Sequence, residues 1–275
     1  MKECVKNQKN EKFNTYLQVY KMQIIRSLTY KFDVYGNIIM QSIIMLASAF
    51  FWKALYAGND SVQGVGVSDM MVYTVVSSMI SVVLTTNVER RISNSVSKGT
   101  IAIDMMRPVD IYKVFFAENL AGVTTLIFQN LLPILLIGSI FIGVPVPASK
   151  EAFLLFVLSL FMSFCINWFI AVIFGMFSFK VIEMDALIQV KKHLIRLLSG
   201  SIIPVWFFPE SIKNILSFLP FVYLYQLPLD IYIGKYDSAS LTKGLIMQAL
   251  WVVVLYLMFR FFKKKAEDKV MIQGG

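Results

Sequence analysis

Apolar runs long enough to cross a membrane alternate along this chain with short charged islands. The first run is Val34–Tyr56, ending in Trp52 and Tyr56, aromatics of the kind that settle at a membrane–water boundary. A short Gly-rich hairpin, AGNDSVQGVGVSD, leads to a second run at about Met70–Val88. A third covers about Val114–Ile142 and is interrupted by Pro133. After the turn GVPVPASK, a fourth occupies about Phe153–Phe179. A fifth is short, or starts inside the charged island Lys180–His193, and ends near IIPVWFFPE; a sixth covers about Gly244–Phe262. A helix needs about 20 mainly apolar residues to cross a bilayer. The pattern therefore predicts an all-α integral membrane protein of six transmembrane helices.

Two further stretches follow a different period. From Phe13 to Phe32, Phe13, Tyr16, Leu17, Tyr20, Ile24 and Leu28 recur at helical steps, with Asn14, Thr15, Gln18, Lys21 and Arg26 mostly opposite. An aromatic, basic helix just ahead of a span reads as an interfacial helix or as an extension of that span. The chain divides into a leader and interfacial helix at 1–33, spans over 34–262, and a tail at 263–275, all one transmembrane domain. The second stretch, Ser211–Ile233, is long enough to cross but holds Pro220, Pro228 and five aromatics.

Composition agrees, and charge placement settles the count. The chain is 57% hydrophobic with a mean hydropathy of +0.67 and only 16% charged residues, where soluble domains carry about 25%. With six spans and the N-terminus inside, 21 of the 26 Lys and Arg fall on the inner side and 5 outside, a positive-inside pattern. A seventh crossing would carry Arg260 and Lys263–Lys265 outside, so Ser211–Ile233 is expected to enter the outer leaflet and return. The same bias accounts for the +9 net charge without nucleic acid. The polar opening MKECVKNQKNE, with an apolar run starting only near Val34, speaks against a cleavable signal peptide.

The sequence offers little catalytic chemistry. LLSGS at 197–201 lacks the second Gly and the Gln of an ATPase signature, and SKGT at 97–100 is not a phosphate loop. No catalytic residue, resident cofactor or metal site is expected, because Cys4, Cys165 and His193 stand apart. Asp33 and Glu118 lie toward span ends and Glu183 and Asp185 in the second island, so no carboxylate suits ion coupling at the midplane. Uncharged polarity does occur within spans, at Gln129, Asn130 and Asn167. These residues either face a translocation path or bond helix to helix. Phe207, Phe208, Phe221, Tyr223 and Tyr225 form a candidate outer gate, or serve as interfacial anchors.

The island Glu89–Lys113, ERRISNSVSKGTIAIDMMRPVDIYK, is basic on balance and threaded with apolar residues. It suits a docking surface for a soluble partner, or an ordinary charged loop. Gly99 and Pro108 punctuate it, as residues that end helices do. Gly99, Thr100, Ile101, Asp104, Met106, Arg107, Pro108 and Val109 resemble the cytoplasmic G-T-I-x-x-D-L-x-R-P-V loop of a bacterial subgroup of ABC-2 type permeases. The resemblance covers essentially the whole chain and marks the family, not the cargo. It implies a plasma-membrane protein with both termini cytoplasmic, an elbow-like first helix and re-entrant helices before the last span. It further implies two permease subunits, identical or homologous, with two separate ATPase subunits that hold ATP and Mg.

The ATPases would then press on an island made of Glu89, Arg90, Arg91, Lys98, Gly99, Ile101, Ile103, Asp104, Met105, Arg107 and Pro108. In it Arg90, Arg91 and Arg107 would make charged contacts, while Ile101, Ile103 and Met105 would seat against the ATPase. The cargo class is an amphiphile: a peptide, antibiotic, lipid-linked molecule or polysaccharide. The competing class is an ion-coupled carrier or a membrane scaffold, from which an adjoining ATPase gene would distinguish it.

The charge split generates a topology test. In a background lacking Cys4 and Cys165, single cysteines near Asn59, Lys150 or Tyr236 are expected to react with an impermeant thiol reagent in intact cells. Cysteines near Ser95 or at residue 270 should react only after lysis, and labelling of 270 from outside would refute the six-span count.

Overall fold

A computed structural model describes residues 2–29, 31–56, 58, 61–62, 64–181 and 184–273. Asn59 and Glu183, and the side chains of Cys4, Phe13, Leu28 and Asp33, lie outside the described residues. Helices α1 (Lys2–Thr29) and α2 (Lys31–Tyr56) are followed by a two-stranded hairpin, β1 (Ser61–Val62) and β2 (Val65–Gly66), which pairs Val62 with Val65. Next come α3 (Val67–Val83), α4 (Val88–Ser97), α5 (Thr100–Met105) and α6 (Ile111–Leu126). A π-helical turn at Ile127–Leu131 joins α6 to α7 (Leu132–Phe141). The chain continues with α8 (Lys150–Met176), α9 (Asp185–Leu198), α10 (Glu210–Ser217), α11 (Val222–Ile233) and α12 (Ser238–Gln273).

Five helical stretches among the described residues are long and apolar enough to cross a membrane: Val34–Tyr56, Val67–Ser97, Ile111–Phe141, Lys150–Phe179 and Ser238–Glu267. They match the first four and the last of the expected spans. The fifth takes a different form. Its place is held by α9, only 14 residues long, and by a chain that leaves the helix at Ser199. Lys191, Lys192 and Arg196 interrupt the apolar run here, so no long hydrophobic helix can form. The stretch Ser211–Ile233 does not make a straight helix either. Its two halves, α10 and α11, meet at a bend of 106° around Pro220.

Apolar side chains cover much of the outside: Ile39, Ile43, Phe50 and Leu55 on α2 and Leu154, Val157 and Phe161 on α8 are exposed, as suits contact with lipid. Polar groups are turned inward and bonded. The buried Gln248 of α12 donates to the backbone carbonyls of Ser159 (2.9 Å) and Tyr223 (2.9 Å) and to the Ser163 hydroxyl (3.0 Å). One amide thereby ties α12 to α8 and α11. Gln226 does the same for the irregular segment after α9: its N–H donates to Ser199 O (3.1 Å), and its Oε1 accepts from Val205 N (2.8 Å). The Tyr73 hydroxyl of α3 donates to the Gly200 carbonyl and lies 3.1 Å from Gln226 Oε1. Gly200 is required here, since its φ is +85° and a Cβ would stand 2.5 Å from Gln226 Oε1.

Helix α1 starts at Lys2, earlier than its period suggests, and packs on α6. The Tyr16 hydroxyl accepts from Asp110 N (3.1 Å) and that of Tyr20 donates to Thr124 Oγ1 (3.1 Å). The expected face is thus partly right, although Leu17 is exposed on its edge. At the centre stands α8, packed against α4, α11 and α12. It approaches α4 most closely at Gly175, where a Cβ would meet Ile92 Cδ1 at 2.9 Å and the Glu89 Cα at 3.1 Å.

Bulk added at Gly175 must push α4 away, because backbone cannot yield as a flexible side chain can. Overpacking of this kind costs about 1–3 kcal/mol. Gly175→Val is expected to lower the melting temperature and to speed proteolysis within residues 98–110, whereas Gly36→Val, with nothing within 4 Å of its Cβ position, should leave both unchanged.

Candidate functional site

The charged island is two short helices on a glycine hinge. In α4 the residues Val88, Glu89, Ile92, Ser93 and Ser95 are buried, while Arg90, Arg91 and Asn94 face out. Gly99 follows with φ +68°, the left-handed conformation expected of it, and turns the chain into α5. The Thr100 hydroxyl donates back to Ser95 O (3.3 Å) and closes the turn. Asp110 then caps α6 by accepting from Tyr112 N (3.0 Å), and Lys263 of α12 pairs with the same carboxylate.

The three apolar residues expected to seat against a partner do not act alike. Ile101 is buried in the chain's own core and Met105 is partly buried there, whereas Ile103 is 62% exposed. Met106, quoted in the motif but not chosen as an anchor, is 84% exposed. The helical turn explains the split: Ile101 and Met105 lie four apart on the inner face, and Ile103 and Met106 lie three apart on the outer one. Around them Lys98, Arg107 and Pro108 are exposed, with Arg107 against Asp104 at 3.4 Å. Arg90 pairs with Asp185 of α9 (3.2 Å) and Arg91 with Glu118 of α6 (3.5 Å). Both arginines are about half exposed, so each pair contributes roughly 0–1 kcal/mol.

Glu89 behaves differently from its neighbours. Its carboxylate accepts from Lys191 Nζ at 2.7 Å, with Glu89 1% and Lys191 4% exposed. This buried pair joins the root of α4 to the middle of α9. Neither residue could be paired from sequence, since 102 positions separate them.

Above the pair a cleft of about 470 Å³ runs between α2, α3 and α9. Trp52 and Tyr73 line one end and Asn87 and Lys191 the other. Thr74, Ser77, Ser78 and Ser81 of α3, with Thr85 just beyond its end, supply a hydroxyl stripe, and Lys192 and Arg196 line the cleft from α9. The stripe was legible in YTVVSSMISVVLTTN as small polar residues three and four apart. Of the expected path residues, only Asn167 reaches this cleft, and its amide donates to Leu84 O at 2.6 Å where α3 ends. Gln129 and Asn130 sit instead in the π-helical turn, Asn130 buried with its Oδ1 unbonded. The expected gate aromatics also divide. Phe207 stacks on Trp52 (5.3 Å between ring centroids) and Tyr225 lines the cleft. Tyr223 is bonded to Ser217 O (2.6 Å), while Phe208 and Phe221 are half-buried elsewhere.

This architecture is a set of span-length helices carrying a protruding helical island. The sequence profile described as ABC-2 family transporter protein matches residues 42–274. The chain belongs to the ABC-2 transporter family. Search of curated proteins returns no match. As an ABC-2 protein it is a multi-pass membrane permease, the part of an ABC transporter that works with an ATPase rather than hydrolysing nucleotide itself. Within this permease, the island and the hydroxyl-lined cleft are two ends of one connected unit, joined through Glu89 and Lys191.

Removing one member of a buried pair strands the other charge, at a cost of about 3–5 kcal/mol, whereas replacing both by apolar residues can be neutral. Glu89→Leu and Lys191→Met are each expected to lower the melting temperature of the purified permease. The double variant should melt closer to the parent than either single one, a non-additivity that a thermal double-mutant cycle measures.

Proposed function

We propose that this permease is the membrane subunit of an ATP-driven exporter of amphiphilic molecules. Two copies, or this chain and a homologue, enclose the path, and two separate ABC ATPases hold ATP and Mg. Both termini lie in the cytoplasm, α1 lies at the inner interface, and α10–α11 dips into the outer leaflet and returns. ATPase closure presses on α5. The push passes through α4 and the Glu89–Lys191 pair to α9, which forms one wall of the cleft. Export, rather than uptake, follows the resemblance of the island loop to that of bacterial ABC-2 exporters.

The observation that carries this reading is the two-sided island. Ile103 and Met106 are held out beside Lys98 and Arg107, while the same element is rooted by a buried ion pair to a wall of the cleft. An ordinary loop would not hold two large apolar side chains out at one helical turn and bury a charge at the root of the helix before it.

An apolar anchor in a packed interface contributes about 2 kcal/mol or more. Ile103→Asp with Met106→Asp is therefore expected to abolish co-purification of the ATPase while membrane levels and melting temperature stay normal. Ile101→Asp, by contrast, should lower the amount of folded permease, because that residue is buried within its own chain. Gly99→Val should weaken ATPase association by straining the hinge. Full ATPase recovery with the Ile103/Met106 variant would reduce the island to a charged tether.

A further inference from the structure

The cleft between α2, α3 and α9 carries an unbalanced charge. Lys191 is neutralised by Glu89. Lys192 and Arg196, one helical turn apart on the same helix, line the cleft without an ion-pair partner among the described residues. Among the described residues no Asp or Glu lines it.

Arg196 is placed by two anchors. Helix α9 is anchored at Lys191, level with Glu89, and the chain just beyond its end is anchored by Gly200 and Ser201, bonded to Tyr73 and Ser77 of α3. Arg196 lies between those anchors, five residues or ~7.5 Å of helix rise above Lys191. Its side chain is exposed and lines the cleft, where an anion can reach its guanidinium.

We propose that this cleft binds amphiphiles with an anionic headgroup, whose phosphate or carboxylate sits between Lys192, Arg196 and the α3 hydroxyls. Arg supplies planar paired donors suited to such an oxyanion. The hydroxyls of Thr74, Ser78 and Thr85 donate to the carbonyls of Met70, Thr74 and Ser81 one turn back. Rotation about χ1 turns them toward a ligand without breaking the helix. The apolar part of the molecule has its own wall in Ile44, Trp52 and Ile202. At about 470 Å³ the cleft admits a headgroup and the first part of a chain, the remainder lying along the exposed apolar face of α2. The site deepens the exporter reading by naming the charge of the cargo, and rests on the helices bordering the cleft being membrane elements.

The test uses the full chain purified in an uncharged detergent, with native mass spectrometry as the readout and dodecyl phosphate, dodecyltrimethylammonium and inorganic phosphate as probes. Dodecyl phosphate is expected to bind saturably and at least about ten-fold more tightly than dodecyltrimethylammonium. Lys192→Gln with Arg196→Gln should weaken it by about ten-fold or more, Arg196→Lys by less, and Arg260→Gln, outside the cleft, not at all. Equal binding of the anionic and cationic probes, or binding unchanged in the double variant, would overturn the proposal. Inorganic phosphate competing as well as dodecyl phosphate would overturn the amphiphile. Loss of a permease dimer in Arg196→Gln, with probe binding intact, would assign the cation to a carboxylate of a second copy and overturn the site. If the double variant does not fold, Arg196→Lys against the parent still decides, by the ratio of anionic to cationic probe bound. Because no ATPase is present, failure here is separate from failure of the island to recruit one.

Discussion

The buried pair of Glu89 and Lys191 is the constraint around which the island-bearing part of this permease is arranged. Two charges that are 1% and 4% exposed cannot part cheaply, because either one alone would face a low-dielectric interior. Helices α4 and α9 must then move as a body, whatever their surface pairs do. The neighbouring Arg90–Asp185 contact spans the same two helices but is open to solvent, so it guides rather than locks. Helix α4 also rests on α8 at Gly175, which offers no side chain of its own against Ile92 and the Glu89 backbone. The island is therefore tied inward in two ways: by contact to α8, and by charge to α9.

The membrane half is held by a different kind of bond. Lipid offers apolar side chains little reason to prefer each other, so packing and hydrogen bonds must supply the specificity. Two glutamines do much of this. Gln248 gathers α8, α11 and α12, and Gln226 satisfies the backbone where the chain leaves α9. The second lets a non-helical stretch be packed inside the bundle, since buried peptide groups need partners. Tyr73 and Ser77 of α3 bond to the carbonyls of Gly200 and Ser201 in the same stretch. The weak fifth element is thereby built as part of the bundle, with its cationic face left open to the cleft.

How much of this was legible beforehand follows from the range of each interaction. Hydropathy is a local sum, so the four apolar runs before residue 180 and the last one could be read directly, whereas Ser211–Ile233, which bends around Pro220, needed the distribution of charge over the whole chain. Gly99 was legible too, because a left-handed residue between two helical stretches has a local signature. The family match over residues 42–274 agrees with what the island motif suggested.

Other features depend on what stands opposite. Ile101 and Ile103 are the same residue type two positions apart, and only the packing of α5 decides that one is core and the other surface. Glu89 looked like one more charge in a basic island until α9 placed Lys191 against it. Asn167 and Asn130 were equally plausible as path residues; the fold turned one into the cleft and the other into a π-helical turn. By itself the sequence determined a multi-span membrane protein with a charged island between spans, because span length, charge and glycine conformation are properties of neighbouring residues. Which polar groups meet, and which face a cleft, was decided only by tertiary structure, because charges and amides acquire their meaning from partners many residues away.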